Sequence, residues 1–127
     1  MMKVAVSAKG TTLDAVVDPL FGRAENFVVV ETDTMTCRSV ANENKARSGG
    51  AGIQSAQMLA HAGARVVLTG NCGPNAHRTL QAAGIDVVVG CTGTVGEIIE
   101  RFKAGDLRSA SAPNVESHAG MSGRRGR

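Results

Sequence analysis

In 127 residues, 43% of them apolar, with three Phe and neither Trp nor Tyr, the chain has material for one domain whose core is built from Val, Ile, Leu, Ala and Met. The formal charge of +3 belongs to the C-terminal tail: residues 1–107 balance ten Lys/Arg against ten Asp/Glu, and the residues from Arg108 add four Arg and one Glu. A neutral domain so poor in stacking aromatics argues against an RNA-recognition or OB-type nucleic-acid surface, and the Ser/Gly/Arg tail at 108–127 reads as disordered.

In chain order, Lys3–Ser7 reads as a buried strand, Phe27–Glu31 as a second and Cys37–Ala41 as a third. The short connection between the last two, through Thr32–Met35, leaves room only for a hairpin. Glycines 49, 50 and 52 punctuate a loop, and a helix follows through about Ala62, with Ile53, Ala56, Leu59 and Ala60 as its apolar stripe and Gly63 at its end. Val66–Leu68 and Asp86–Val89 lack polar alternation, as strands covered on both faces do. A helix over Pro74–Ala83 joins them. The last helix places Val95, Ile98, Ile99 and Phe102 at i, i+3, i+4 and i+7 behind a Thr94/Glu97 capping box, and Lys103 and Gly105 close it. The expected fold is α/β: a mixed five-stranded sheet with an antiparallel N-terminal meander, a parallel C-terminal half and packed helices, in one domain over residues 1–107.

The most informative stretch is Thr69–Leu80. It runs from a strand through a loop of small residues into a helix that starts on Pro74, a residue suited to the first helical position. Helix N-terminal amides behind a glycine loop suit an anion. Beyond the carboxyl ends of parallel strands, where ligands gather, the chain delivers Ser7 with Lys9, then Gly70, Asn71 and Gly73 with Asn75, and then Thr92. Gly50 and Gly52 precede their own helix, and Arg23 adds a second cation. Cys72 and Cys91 each lie just past a strand end, so adjacent strands would bring the two thiols together as soft metal ligands; the alternative is two small buried hydrophobes. His77, in the first turn of its helix, is either a ligand or a solvated residue. Arg23 either binds an anion or pairs with Glu25 or Glu31. Cys37 reads as core or surface, His61 as exposed, His118 as belonging to the tail, and Phe21, Phe27 and Met58 as core.

The segments Pro19–Ala24 with Phe27, Gly50–Gln54, Gly70–Ala76, Gly93–Val95 and Phe102–Leu107, in that order, resemble the dinitrogenase iron–molybdenum cofactor biosynthesis family. That family includes nitrogenase cofactor carriers and the orange-protein branch of sulfate reducers. The resemblance covers roughly residues 3–107. It implies a ribonuclease H-like fold and non-catalytic carriage or storage of a molybdenum-containing metal–sulfur cluster, of the Mo–Cu sulfide or the iron–molybdenum type. It implies no nuclease activity, since Asp14, Asp18, Asp33 and Asp86 form no evident two-metal constellation. Members often carry Arg or His before the Phe-Gly pair, where this chain has Leu20, so an anion partner expected there is missing.

The partners so implied are cluster donors or acceptors rather than membranes or nucleic acids. Three cysteines without C-x-x-C and the lack of a span-length apolar segment make a reducing cytoplasm the expected setting. The competing readings are a nucleotide- or phosphometabolite-binding enzyme using the glycine loops, and a pure interaction module. Against the enzyme, G-x-x-x-x-G-K-[ST] is absent, Gly50-Ala-Gly52 does not complete G-x-G-x-x-G, and no base is paired to a nucleophile.

Overall fold

The structure, a computed structural model, describes residues 2–43 and 50–107. Strands β1 (Lys3–Ala8), β2 (Asn26–Glu31) and β3 (Thr36–Ala41) are followed by helix α1 (Ala51–His61), β4 (Val66–Leu68), α2 (Pro74–Ala82), β5 (Asp86–Val88) and α3 (Val95–Lys103). The tail from Arg108, with His118, and Gly49 lie outside the described residues.

The sheet order is β3-β2-β1-β4-β5. β1 pairs antiparallel with β2 (Val4 opposite Val30, Val6 opposite Val28), and β2 antiparallel with β3. On its other side β1 pairs in parallel with β4, as β4 does with β5. The expected antiparallel meander and parallel half are both present in one mixed sheet. The chain builds outward from β1 in one direction, then crosses over and builds outward in the other, so the order reverses between β1 and β4.

Alternation along the strands divides the core into two layers. Ala5, Phe27, Val29, Val67 and Val87 face one side, where Ala56 and Leu59 of α1 and Ala76 and Leu80 of α2 cover them. Val4, Val6, Val28, Val30, Leu68 and Val88 face the other, under Val95, Ile98 and Ile99 of α3. A strand has its side chains at a period of two, so a sheet with apolar residues at every position must be covered twice. The α3 capping box forms: Thr94 Oγ1 accepts from the Glu97 N–H at 3.2 Å, and the Thr94 N–H donates to Glu97 Oε1 at 2.9 Å. The α1 stripe is rotated from expectation. Ala51, Ser55, Ala56 and Leu59 are its buried residues, while Ile53 is half-buried and Ala60 exposed. The buried Ser55 explains the shift, because α1 meets a polar partner there as well as an apolar one.

After β1 the chain turns out and back. Ala8 bridges Val17 antiparallel, the Asp18 N–H donates to the Ser7 carbonyl at 2.8 Å, and the Lys9 N–H donates to the Val16 carbonyl at 2.9 Å. The strand-like course then continues beside the extension of β4, where Leu20 bridges Asn71 in parallel. The Asn71 N–H donates to Pro19 O at 2.7 Å, and the Phe21 N–H donates to Asn71 O at 3.1 Å. This zipper delivers Leu20–Arg23 to the helix N-termini beyond the carboxyl end of β4.

Among the described residues no helix is long and apolar enough to cross a membrane.

Candidate functional site: an anion-receptive cavity between two helix N-termini

Glycine contacts determine where the cavity forms. A Cβ on Gly22 would lie 3.0 Å from the Cα and the N of Gly52, and a Cβ on Gly52 would lie 2.9 Å from the Ala76 Cβ. Both are closer than the 3.5–4.0 Å of comfortable carbon contact, by about 0.5 Å or more. The missing side chains let the Phe21–Arg23 segment, the first turn of α1 and the first turn of α2 stack directly on one another. Gly70 permits the same close approach in the layer below, since a Cβ there would meet Pro19 Cα and O at 2.8 Å.

Above this stack lies a cavity of about 290 Å³, lined by Leu20, Phe21, Gly22 and Arg23, by Gly50, Gly52 and Ile53 of the α1 start, and by Asn71, Gly73, Pro74, Asn75 and Ala76 of the α2 start. Its size falls at the lower edge of the roughly 300–1,000 Å³ usual for organic ligand pockets, which suits a compact ligand better than a dinucleotide. One side is apolar, with Leu20 half in solvent at the rim. The rings of Phe21 and Phe27 touch beneath it, with centroids 5.2 Å apart.

The other side is a double helix N-terminus. Gly50, at φ 76°, caps α1 and Gly73, in extended conformation, caps α2; neither offers a side chain to the first-turn amides, and neither helix has an acidic residue in its first turn. The contrast within the molecule is α3, on the far face, which has both a capping side chain and Glu97 in its first turn. A helix N-terminus carries a partial positive charge of about half a unit, expressed at its unpaired N–H groups. Two such ends converge here and Arg23 is among the lining residues, so the lining is electropositive, with no carboxylate among the described residues that form it. This arrangement can hold an anion by amide hydrogen bonds and charge while presenting Leu20 and Ile53 to a polarisable, weakly hydrated face.

Of the residues expected from sequence, Arg23, Gly50, Gly52, Asn71, Gly73 and Asn75 come together in this cavity. The others do not line it. Ser7 is fully buried; its Oγ donates to Asp18 O at 2.8 Å and pairs with Thr69 Oγ1 at 2.7 Å, so it locks the exit from β1. Gly70 is buried beneath Pro19. Lys9 stays exposed on the excursion that the Ala8–Val17 bridge turns back, and Thr92 is exposed just ahead of α3 on the opposite face. The expectation of one crevice at three strand ends is corrected accordingly: the cavity belongs to helix starts and the Leu20–Arg23 strap.

The pairing of the two cysteines is corrected as well. Cys72 packs in the core under α1 and α2, and Cys91 in the core under α3, on opposite sides of the sheet. Gly90, at φ 78°, turns the chain after β5 so that Cys91 drops to the α3 side. Both thiols rest near backbone carbonyls, Cys72 near Gly73 O and Cys91 near Val88 O, each at 3.8 Å. Burial pushes the Cys72 thiol up to about 11. It also raises that of Cys91, against smaller lowering effects from a backbone hydrogen bond at Thr69 and the charge of Arg101. These are the environments of inert core thiols rather than of thiolate ligands. His77 is buried on α2 rather than solvated, and Cys37 is exposed on β3. Among the described residues no three His, Cys, Asp or Glu side chains gather closely enough to hold a metal ion.

Leu20, Phe21, Gly22, Ile53, Pro74 and Ala76 line the cavity without having been expected to. A signal for the first three existed in the Leu-Phe-Gly-Arg run. Ile53 was hidden because its spacing fits a core stripe equally well.

Fold and cavity define a small α/β protein with an uncapped, cationic pocket at the point where the strand order reverses. The family model described as dinitrogenase iron-molybdenum cofactor matches residues 2–105. The chain is similar to the apo form of the orange protein from Desulfovibrio gigas, with 47% identity and a TM-score of 0.88 over 90% of this chain and 97% of that one. It is also similar to a putative NifB protein from Thermotoga, with 35% identity and a TM-score of 0.76 over 86% and 93% of the two chains. An uncharacterized protein of Methanocaldococcus jannaschii is 34% identical over 110 residues, 84% of this chain and 90% of its own length. The chain belongs to the dinitrogenase iron–molybdenum cofactor family.

Proposed function

We propose that the protein is a non-catalytic carrier or store for a preformed molybdenum-containing metal–sulfur cluster, bound as a polyanion in the cavity between the starts of α1 and α2. The observation that carries this reading is the convergence of two helix N-termini without side-chain caps and of Arg23 on a pocket that also presents the apolar side chains of Leu20 and Ile53. A thiometallate is anionic, so amides and a guanidinium attract it. Its sulfur edges are soft and weakly hydrated, so Leu20 and Ile53 cost it little desolvation. Retention by many modest contacts, without thiolate bonds, leaves the cluster free to be received from donor proteins and handed on to acceptors.

The likeness to the orange protein favours the Mo–Cu sulfide type of cargo, and the family favours an iron–molybdenum precursor as the other choice. A ribonuclease H-like assignment fits the order β3-β2-β1-β4-β5 in which β2 alone runs against the rest. A cytoplasmic site of action fits three cysteines that form no disulfide. A phosphate ester would also accept hydrogen bonds from the amides, but Leu20, Phe21 and Ile53 offer its sugar or base apolar contact alone.

Titration of the metal-free protein with tetrathiomolybdate, with and without copper or iron(II), tests the reading under anaerobic conditions. Saturable binding at fixed stoichiometry with shifted sulfur-to-metal bands is expected, and the metal that completes the spectrum identifies the type. Failure to bind any thiometallate, together with thermal stabilisation by ATP or a sugar phosphate, would refute it in favour of a phosphate ligand.

A further inference from the structure

Behind the cavity wall lies a buried polar side chain that the anion cradle itself does not use. Asn42, just past β3, is 2% exposed. Its Nδ2 donates to Gly22 O at 3.1 Å and to Ala24 O at 2.9 Å, the carbonyls on either side of Arg23. Its Oδ1 accepts from the fully buried Ser55 Oγ of α1 at 3.0 Å, and its own N–H donates to Glu25 O at 3.1 Å. One side chain thus joins the sheet edge, the strap that carries Arg23 and the body of α1.

Asparagine suits this place because it offers two N–H donors and one acceptor on a short stem. Aspartate has no donors for the two carbonyls, and alanine would leave buried acceptors unpaired. We propose that Asn42, anchored by Ser55, is the positioning residue of the anion cradle. By holding the carbonyls of Gly22 and Ala24 it fixes the backbone on both sides of Arg23, and so the direction in which the guanidinium leaves the strap. It also has an electrostatic effect. Asn42 does not line the cavity, so carbonyl oxygens held on it are kept from turning toward a bound anion. In a trans peptide the N–H lies opposite the carbonyl, so the Arg23 amide is turned away from Asn42. The proposal rests on the anion reading of the cavity.

The test is a double-mutant cycle on the full-length protein, read as tetrathiomolybdate affinity. Arg23→Gln and Asn42→Ala are each expected to weaken binding by about tenfold, and the double variant also by about tenfold, because both remove the same interaction. Losses that multiply to about a hundredfold would mean that Asn42 acts elsewhere and would overturn the proposal. So would wild-type affinity in Asn42→Ala. Ser55→Ala keeps both carbonyl bonds and removes only the anchor; a smaller loss that vanishes in the Arg23→Gln background is expected, and it carries the test if Asn42→Ala does not fold. A wild-type protein that does not bind tetrathiomolybdate refutes the cargo, not the positioning. In that case NMR of the Arg23 side-chain Nε–H and the 22–24 amides decides. Shifts in Ser55→Ala are expected, and unchanged resonances would overturn the proposal.

Discussion

Moving one methyl group across the floor of the cavity tests whether glycine packing holds the two helix starts together. In Gly52→Ala the new Cβ meets the Ala76 Cβ at 2.9 Å, and overpacking of this kind costs about 1–3 kcal/mol. Alanine in place of glycine in a helix returns roughly 0.5–1 kcal/mol, so the net loss is about 0–2.5 kcal/mol. Ala76→Gly removes a nearly buried methyl, worth about 0.8 kcal/mol, and adds the glycine penalty, for a loss of roughly 1.5 kcal/mol. In Gly52→Ala/Ala76→Gly the propensity effects cancel and the methyl merely changes sides, so stability is expected within about 0.5 kcal/mol of wild type. Urea denaturation of the four proteins, with a common m-value, measures the cycle. Thermal midpoints give a second reading, at about 4 °C per kcal/mol for a domain of this size. The double variant is also expected to recover tetrathiomolybdate affinity, since both helix starts regain their spacing. Strictly additive losses, leaving the double variant the least stable of the four, would refute the claim that Gly52 and Ala76 are in obligatory contact.

Three further outcomes follow from the same structure. Gly73 is an N-cap in extended conformation with open space where a Cβ would sit, so Gly73→Asp is expected to raise stability by about 0.5–1 kcal/mol through capping and the helix dipole while lowering thiometallate affinity at least tenfold, measured by melting and titration together. Thr94→Ala breaks the α3 capping box and is expected to cost about 1 kcal/mol; affinity should stay unchanged because α3 lies on the far face, and a changed affinity would contradict the assignment of the cavity. Burial holds the Cys72 thiol at about 11, so the native state keeps a proton that the unfolded chain releases nearer pH 9. Its contribution to stability is therefore complete below about pH 9 and falls as pH rises toward 11. Melting temperatures across that window should decline less in Cys72→Ala, and at pH 8 a thiol reagent should modify the exposed Cys37 well before the other two.

Local sequence signals determined the elements and their order. The capping box of Thr94 and Glu97, Pro74 at a helix start, Gly63 at a helix end and the apolar runs of β1, β2, β4 and β5 act over a few residues, so they are visible in the chain itself. The lack of polar alternation along Val66–Leu68 and Asp86–Val89 likewise required cover on both faces. The anion-friendly start of α2 was also legible, because Gly73 and Pro74 define it locally.

What the tertiary structure decided is which of these features meet. Cys72 and Cys91 occupy similar places after their strands, yet the turn at Gly90 sends one thiol to each side of the sheet. Ser7 and Gly70 have small-residue chemistry suited to a binding loop, but Asp18 and Pro19 pack over them and use them as structure. Gly22, Gly52 and Ala76 lie on three separate segments, and only their close approach brings two helix N-termini to one cavity. Asn42 looks like an ordinary loop asparagine until the fold buries it between Arg23 and Ser55. Periodicity and capping are short-range, whereas a pocket depends on long-range contact distances, and a few tenths of an ångström between glycines are not written in the spacing of residues along a chain.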